Sequence, residues 1–181
     1  FNPHEDSPLI VKTIGDYDMW QFKYADTKPV FESLMLRAKS PEDLIIMFDY
    51  DSEELNALYV GGKNLIAYKN MYVEREFLMG HPCRISITPD RNNNDTIENC
   101  WICNHDVFIS DLGNYACKQG HQVGVLLSIK GDHIIVNLRS EGNLDVSKIA
   151  KAYGGGGHTN AAGFQLRDFE ELQMFVNLFN F

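Results

Sequence analysis

Four consecutive glycines, Gly154-Gly155-Gly156-Gly157, followed by His158 and then Thr159-Asn160-Ala161-Ala162-Gly163, constrain this chain more than any other stretch. Glycine reaches positive φ without steric cost and, lacking a Cβ, lets another group approach its backbone closely. A run of four makes a loop whose N–H groups can line up on an anion. The small, alanine-rich residues that follow can open a helix whose positive N-terminal end would face the same spot. His158 adds a ring that can donate to a phosphate oxygen or carry a proton near neutral pH. Taken alone, a glycine run is more often a flexible turn than a ligand loop, so its surroundings decide.

Upstream, Gln122 to Ile129 and His133 to Leu138 are β-rich runs separated by Lys130-Gly131-Asp132, which reads as a hairpin. The second run ends in Arg139-Ser140. Asp145 to Tyr153 then makes a short amphipathic helix that ends on the glycines, and Gly163-Phe164-Gln165-Leu166 looks like a returning strand. The spacing predicts helices from Ser7-Pro8 toward Tyr17, over Thr27–Lys39, and from the Ser40-Pro41 cap to Phe48. A longer helix is expected over Glu53–Phe77, with Gly61-Gly62 counting against its middle. Strands at Cys83–Thr88 and Ile97–Asn104 and helices at Ser110–Lys118 and Phe169–Phe179 complete the reading. The fold class is α/β: a mixed β-sheet with flanking helices, preceded by a helical linker segment.

The run Asn137-Leu138-Arg139-Ser140, the run Leu144 to Ala150 and the stretch Gly154 to Phe164 together resemble the DHH-associated domain. That domain is the C-terminal half of the Asp-His-His phosphoesterases, and a similar module ends alanyl-tRNA synthetases. The segment Ile14-Gly15-Asp16-Tyr17-Asp18-Met19-Trp20-Gln21-Phe22 looks like the piece that joins the two halves of the oligoribonuclease and exopolyphosphatase-related members. Tyr17 and Met19 depart from the usual Asp-Arg-Asp-Leu-Trp, and the missing arginine weakens any role for that position in salt bridging across the domain junction. The resemblance implies residues 1–24 as the tail of a catalytic domain plus linker, and 25–181 as the associated domain. In that picture Arg139 holds a phosphate or terminal base as a forked donor, Ser140 adds a hydroxyl, and the amides of Gly154, Gly155, Gly156 and Gly157 cradle the phosphate. His158 donates to the scissile or terminal phosphate and is the one auxiliary catalytic candidate. Two structural roles compete: Arg139 paired with Asp145, and His158 as a satisfied core histidine.

The implied parent reaction is phosphodiester hydrolysis of short oligonucleotides or (cyclic) dinucleotides by metal-activated water. Manganese or magnesium is expected in the N-terminal Asp-His-His domain, with no cofactor in this chain. Neither His4-Glu5-Asp6 nor the acidic run Asp49 to Glu54 supplies the metal motifs, and the latter is better read as a helix start. The chain, which begins at Phe1, is therefore expected to be an inactive C-terminal piece of a larger hydrolase. Its partners would be a nucleotide phosphate, the missing domain and, in one version, a second copy. A stand-alone nucleic-acid module like the synthetase tail, or an interaction domain, are the alternatives.

Charge bears on the ligand. The net charge of -9 argues against an extended nucleic-acid surface. Residues 121–167 nevertheless carry five Lys/Arg against three Asp/Glu, or +2, which leaves -11 elsewhere. That local excess suits a small anionic group. No apolar run approaches the ~18 residues of a membrane span. Cys100-Trp101-Ile102-Cys103 is open to a zinc or redox reading. Because Trp and Ile extend a β-run between the cysteines, buried reduced thiols and a cytoplasmic setting are expected. Arg91 to Asp95 is a polar loop with no assigned chemistry.

Overall fold

A computed structural model describes residues 7–19, 21–90 and 95–178. His4-Glu5-Asp6, Trp20, Arg91 to Asn94 and Phe179 lie outside the described residues. The chain divides into two compact units, one up to Met71 and one from Tyr72 onward.

The first unit is helical: α1 (Leu9–Asp18), α2 (Thr27–Arg37), α3 (Pro41–Met47) and most of α4 (Ser52–Phe77). Its core is small, built from Ile10, Val30, Leu34, Met47 and Leu58. Ser40 caps α3 as the sequence suggests, accepting from the Asp43 amide at 3.3 Å while the Asp43 carboxylate accepts from the Ser40 amide at 2.9 Å. α4 runs unbroken through Gly61-Gly62.

Asp16, from the expected joining segment, has a local structural task. Its buried carboxylate accepts from the amides of Lys23 at 3.0 Å and Tyr24 at 3.3 Å and from the Thr27 hydroxyl, tying the end of α1 to the start of α2. Burial pushes this carboxyl upward, but the bonds from Thr27, Lys23 and Tyr24 together hold it below its ordinary value. A carboxylate depressed in the folded state stabilises above the ordinary carboxylate range, and that stabilisation is lost as pH falls through the folded value. Asp16→Asn is expected to lower the melting temperature by several degrees at neutral pH, with the gap to wild type narrowing in acid. A gap independent of pH would show that the charge plays no part.

The second unit holds a seven-stranded mixed sheet, ordered β5-β6-β4-β3-β2-β1-β7. The strands are β1 (His81–Ser86), β2 (Thr96–Asn104), β3 (Val123–Lys130), β4 (His133–Ser140), β5 (Gly156–His158), β6 (Ala161–Leu166) and β7 (Val176–Leu178). β2 and β3 are parallel and the other pairs antiparallel. Both faces are apolar, which is why the β3 sequence reads as a continuous hydrophobic run. On one face Val123, Val125, Val136, Leu138 and Phe164 pack with α6 (Val146–Ala152) and with Phe175 of α7 (Phe169–Phe175). On the other, Trp101, Cys103 and Leu126 pack with Leu112 and Ala116 of α5 (Ile109–Lys118) and Val73 of α4.

Three expectations need correction. Residues 159–163 open no helix: Thr159-Asn160 is a turn and the chain continues as β6. The hairpin between β3 and β4 turns on two residues, Gly131-Asp132, since Lys130 pairs with His133 and Gly131 takes φ 60°. The last helix stops at Phe175, where Val176-Asn177-Leu178 adds β7 to the edge of β1, pairing outweighing local helix preference.

The four cysteines are buried free thiols. Cys83 and Cys100 are register partners within one core, whereas Cys103 belongs to the core on the opposite face. The Cys-x-x-Cys pair therefore straddles the sheet and cannot converge on one ion. Burial pushes the Cys83 thiol up to about 12 and raises Cys100, Cys103 and Cys117 as well. Among the described residues no helix is long and apolar enough to cross a membrane.

Candidate anion-binding site

The glycine run begins as a helix stop. Asp145 caps the front of α6, accepting from the Ser147 amide at 3.0 Å and its hydroxyl at 2.6 Å. At the other end Gly154, with φ 79°, donates to Lys151 O at 3.0 Å, and Gly155 donates to Ala150 O at 2.8 Å. These are the paired bonds of a Schellman motif. Two of the four expected cradle amides are thus engaged inside the protein. They also sit at the carbonyl end of a helix, so the helix-dipole argument for an anion does not apply here. Gly156 and Gly157 enter β5, with Gly157 at φ 141°.

What gathers the candidate side chains is the register of the sheet. Trp101 on β2 pairs with Gly124 on β3, Gly124 with Arg139 on β4, Arg139 with Ala161 on β6, and Ala161 with His158 on β5. Directly paired residues share a face, so this row lies on the α5 side of the sheet. Arg139 and His158 stand two strands apart, roughly 10 Å between Cα atoms at ~4.8 Å per strand. α5 packs over β3 and β4, and its Leu112 and Ala116 also pack with Trp101 and Cys103 of β2. Beyond Arg139 the row ends on the exposed His158, and Ala161 with, one row on, Gly163 and Gly156 forms a partly exposed floor of small residues.

Arg139 is half-buried, and loss of solvation pulls its guanidinium below the usual value. Nη1 donates to Leu138 O and Nη2 to Ser110 Oγ, each at 2.9 Å. Three of its five N–H donors remain for a ligand. Asp145 does not take part, being occupied with the α6 cap, so the Arg139–Asp145 pairing is not the arrangement adopted. His158 is exposed, and no hydrogen bond joins its ring to another described residue.

Ser140 is not brought to this face. Because β4 continues through it, alternation turns its hydroxyl to the opposite, buried side. There it donates to Leu144 O at 2.7 Å and accepts from Asn160 Nδ2 at 3.2 Å.

Two residues that set the position of Arg139 were not singled out from sequence. Ser110 is one; Gly113 is the other. A Cβ at Gly113 would lie 2.7 Å from Arg139 Cγ, and one at Gly124 would lie 2.6 Å from Gly113 O. Helix and sheet meet here with no side chain between them. An isolated glycine inside an otherwise regular helix is the signal that could have revealed such a contact.

Residues 108–180 match the DHHA1 domain, in line with the DHH-associated module that the sequence resembles. Among solved structures, the chain resembles the pGpG-specific phosphodiesterase PggH from Vibrio cholerae with a TM-score of 0.55 at 11% identity, covering 90% of this chain and 62% of that one. An exopolyphosphatase-related protein from Bacteroides fragilis aligns at a TM-score of 0.44 and 15% identity, covering 75% of this chain and 42% of that one. The chain thus spans less than two thirds of either. At these identities the likeness to PggH concerns the fold alone. No curated protein matches the sequence.

Proposed function

We propose that this chain is the substrate-holding part of a DHH-family phosphoesterase that hydrolyses short oligonucleotides or (cyclic) dinucleotides, and that a phosphate sits between Arg139 and His158. The observation that carries the reading is the shared row of Arg139, Ala161 and His158 on one face of the sheet, half-buried at Arg139 and exposed at His158. Arg139 supplies charge-assisted hydrogen bonds from a guanidinium already steadied by Ser110 and Leu138. His158 supplies a ring from the facing edge strand. The matched DHHA1 domain and the likeness in fold to a pGpG-specific phosphodiesterase support the substrate class.

Among the described residues, no three His, Cys, Asp or Glu side chains come together to hold a metal. The residues here do not fit the divalent ions that the family resemblance implies, and their chemistry is to bind and orient.

The test is an NMR titration of the chain with AMP and with adenosine. Weak binding of AMP, around millimolar, is expected, because a few hydrogen bonds oppose the full entropic cost of association. Shifts at Gly156, Gly157 and His158 should need the phosphate. His158→Ala should weaken AMP binding by roughly 1–2 kcal/mol and leave the melting temperature unchanged. Arg139→Ala should weaken it similarly and flatten its salt dependence. Equal shifts with adenosine, or none at these residues, would remove the reading.

A further inference from the structure

Asn137 stands on the same strip as Arg139. It is two residues earlier on β4, and its side chain shares the face of Arg139 while Val136 and Leu138 enter the opposite core. Its register partners are Leu126 on one side and Gly163 on the other, and Gly163 in turn pairs with Gly156. The row beside Arg139–Ala161–His158 therefore reads Asn137–Gly163–Gly156, a carboxamide followed by two residues without side chains. A Cβ on Gly163 would lie 3.5 Å from Asn137 Oδ1, and one on Gly156 would meet nothing within 4 Å. The carboxamide is half-buried, and no hydrogen bond joins it to another described residue. The carboxamide is therefore open to solvent or to a ligand.

We propose that Asn137 is a specificity-determining residue that hydrogen-bonds the ribose hydroxyls of the nucleotide whose phosphate lies between Arg139 and His158. The assignment rests on the phosphate reading above. Residues two apart on a strand are roughly 6.6 Å apart, a separation that suits a phosphate and its own sugar. The base, farther from the phosphate, would extend beyond Asn137. A carboxamide offers two donors and an acceptor, matching a hydroxyl that both donates and accepts. A second phosphate would find the acceptor oxygen unfavourable. The absent side chains at Gly163 and Gly156 let the sugar ring rest on the backbone of β6 and β5.

The experiment compares dissociation constants of AMP and 2′,3′-dideoxy-AMP for the full chain, by NMR titration. Wild type should favour AMP by about five- to tenfold, the effect of one or two neutral hydrogen bonds. Asn137→Ala should bring the ratio near one by weakening AMP alone, and Asn137→Ser, which keeps a small polar group, provides a second variant if the alanine form fails to fold. An unchanged ratio in the variants, equal weakening of both nucleotides, or a wild-type ratio of one would overturn the ribose assignment while leaving the phosphate reading intact. Loss of discrimination between AMP and GMP, with the sugar preference kept, would assign Asn137 to the base and overturn it too. Failure of wild type to bind either nucleotide would remove the phosphate reading itself and this assignment with it.

Discussion

Gly155→Ala is expected to destabilise the second unit by about 3 kcal/mol, whereas Gly156→Ala, one residue on, should change stability by no more than about 1 kcal/mol. A Cβ on Gly155 would sit 2.2 Å from Gly163 O and 2.7 Å from Phe164 Cα, both backbone atoms of β6. They cannot retreat without separating β6 from β4, where Phe164 pairs with Val136. At Gly156 the same Cβ enters open space and the backbone needs no positive φ. Structure alone does not require glycine there. If a nucleotide lies on that floor, Gly156→Ala should weaken AMP binding several-fold at nearly unchanged stability. Urea unfolding of both variants, with AMP titration of Gly156→Ala, checks the pair. Equal stability of the two variants would dismiss the close β5–β6 approach, and undiminished AMP affinity of Gly156→Ala would dismiss the floor.

The glycine run also shows what a sequence can reveal. Its importance was visible at once, because few residue types tolerate what these positions demand. Its purpose was not. Gly154 and Gly155 end a helix by hydrogen bonds to Lys151 and Ala150, a local task that a β-turn or an anion loop would signal equally well. The helix expected after the run failed for a related reason: Ala161 to Leu166 has a small-residue start that suits either state, and pairing with β4 decided it. Arg139 and His158 were both picked out, yet their adjacency depends on strand order, which no local pattern encodes. The same holds for Asn137, which sequence placed in a motif without a role. Ser140 shows the opposite failure. Alternation along β4 turns its hydroxyl into the core, on the face opposite Arg139, whereas the family resemblance implied both on one phosphate.

In the first unit the largest effect is expected from Gly62→Ala, a change that would ordinarily favour a helix by up to about 1 kcal/mol. Here a Cβ would fall 1.6 Å from Pro29 O and 2.3 Å from Pro29 C, so α2 crosses α4 with its backbone directly on that glycine. The intruding methyl must push the two helices apart. The core between and around them rests on only a few large buried side chains, Val30 and Leu34 from α2 and Leu58 from α4 among them. The crowding therefore outweighs the propensity gain, and a net loss of roughly 3 kcal/mol is expected. Gly61→Ala is the matched control: its nearest obstacle is the Ser33 hydroxyl at 3.0 Å, a side-chain atom that can rotate away. That variant should be near neutral, because the helix gain offsets the small displacement. Thermal unfolding compares the two, and hydrogen exchange should place the Gly62→Ala loss in α2 and α4 and leave β3 and β4 protected. Equal melting temperatures for the two variants would mean that α2 does not press on Gly62, and the glycine pair would then be a mere weakness in a long helix.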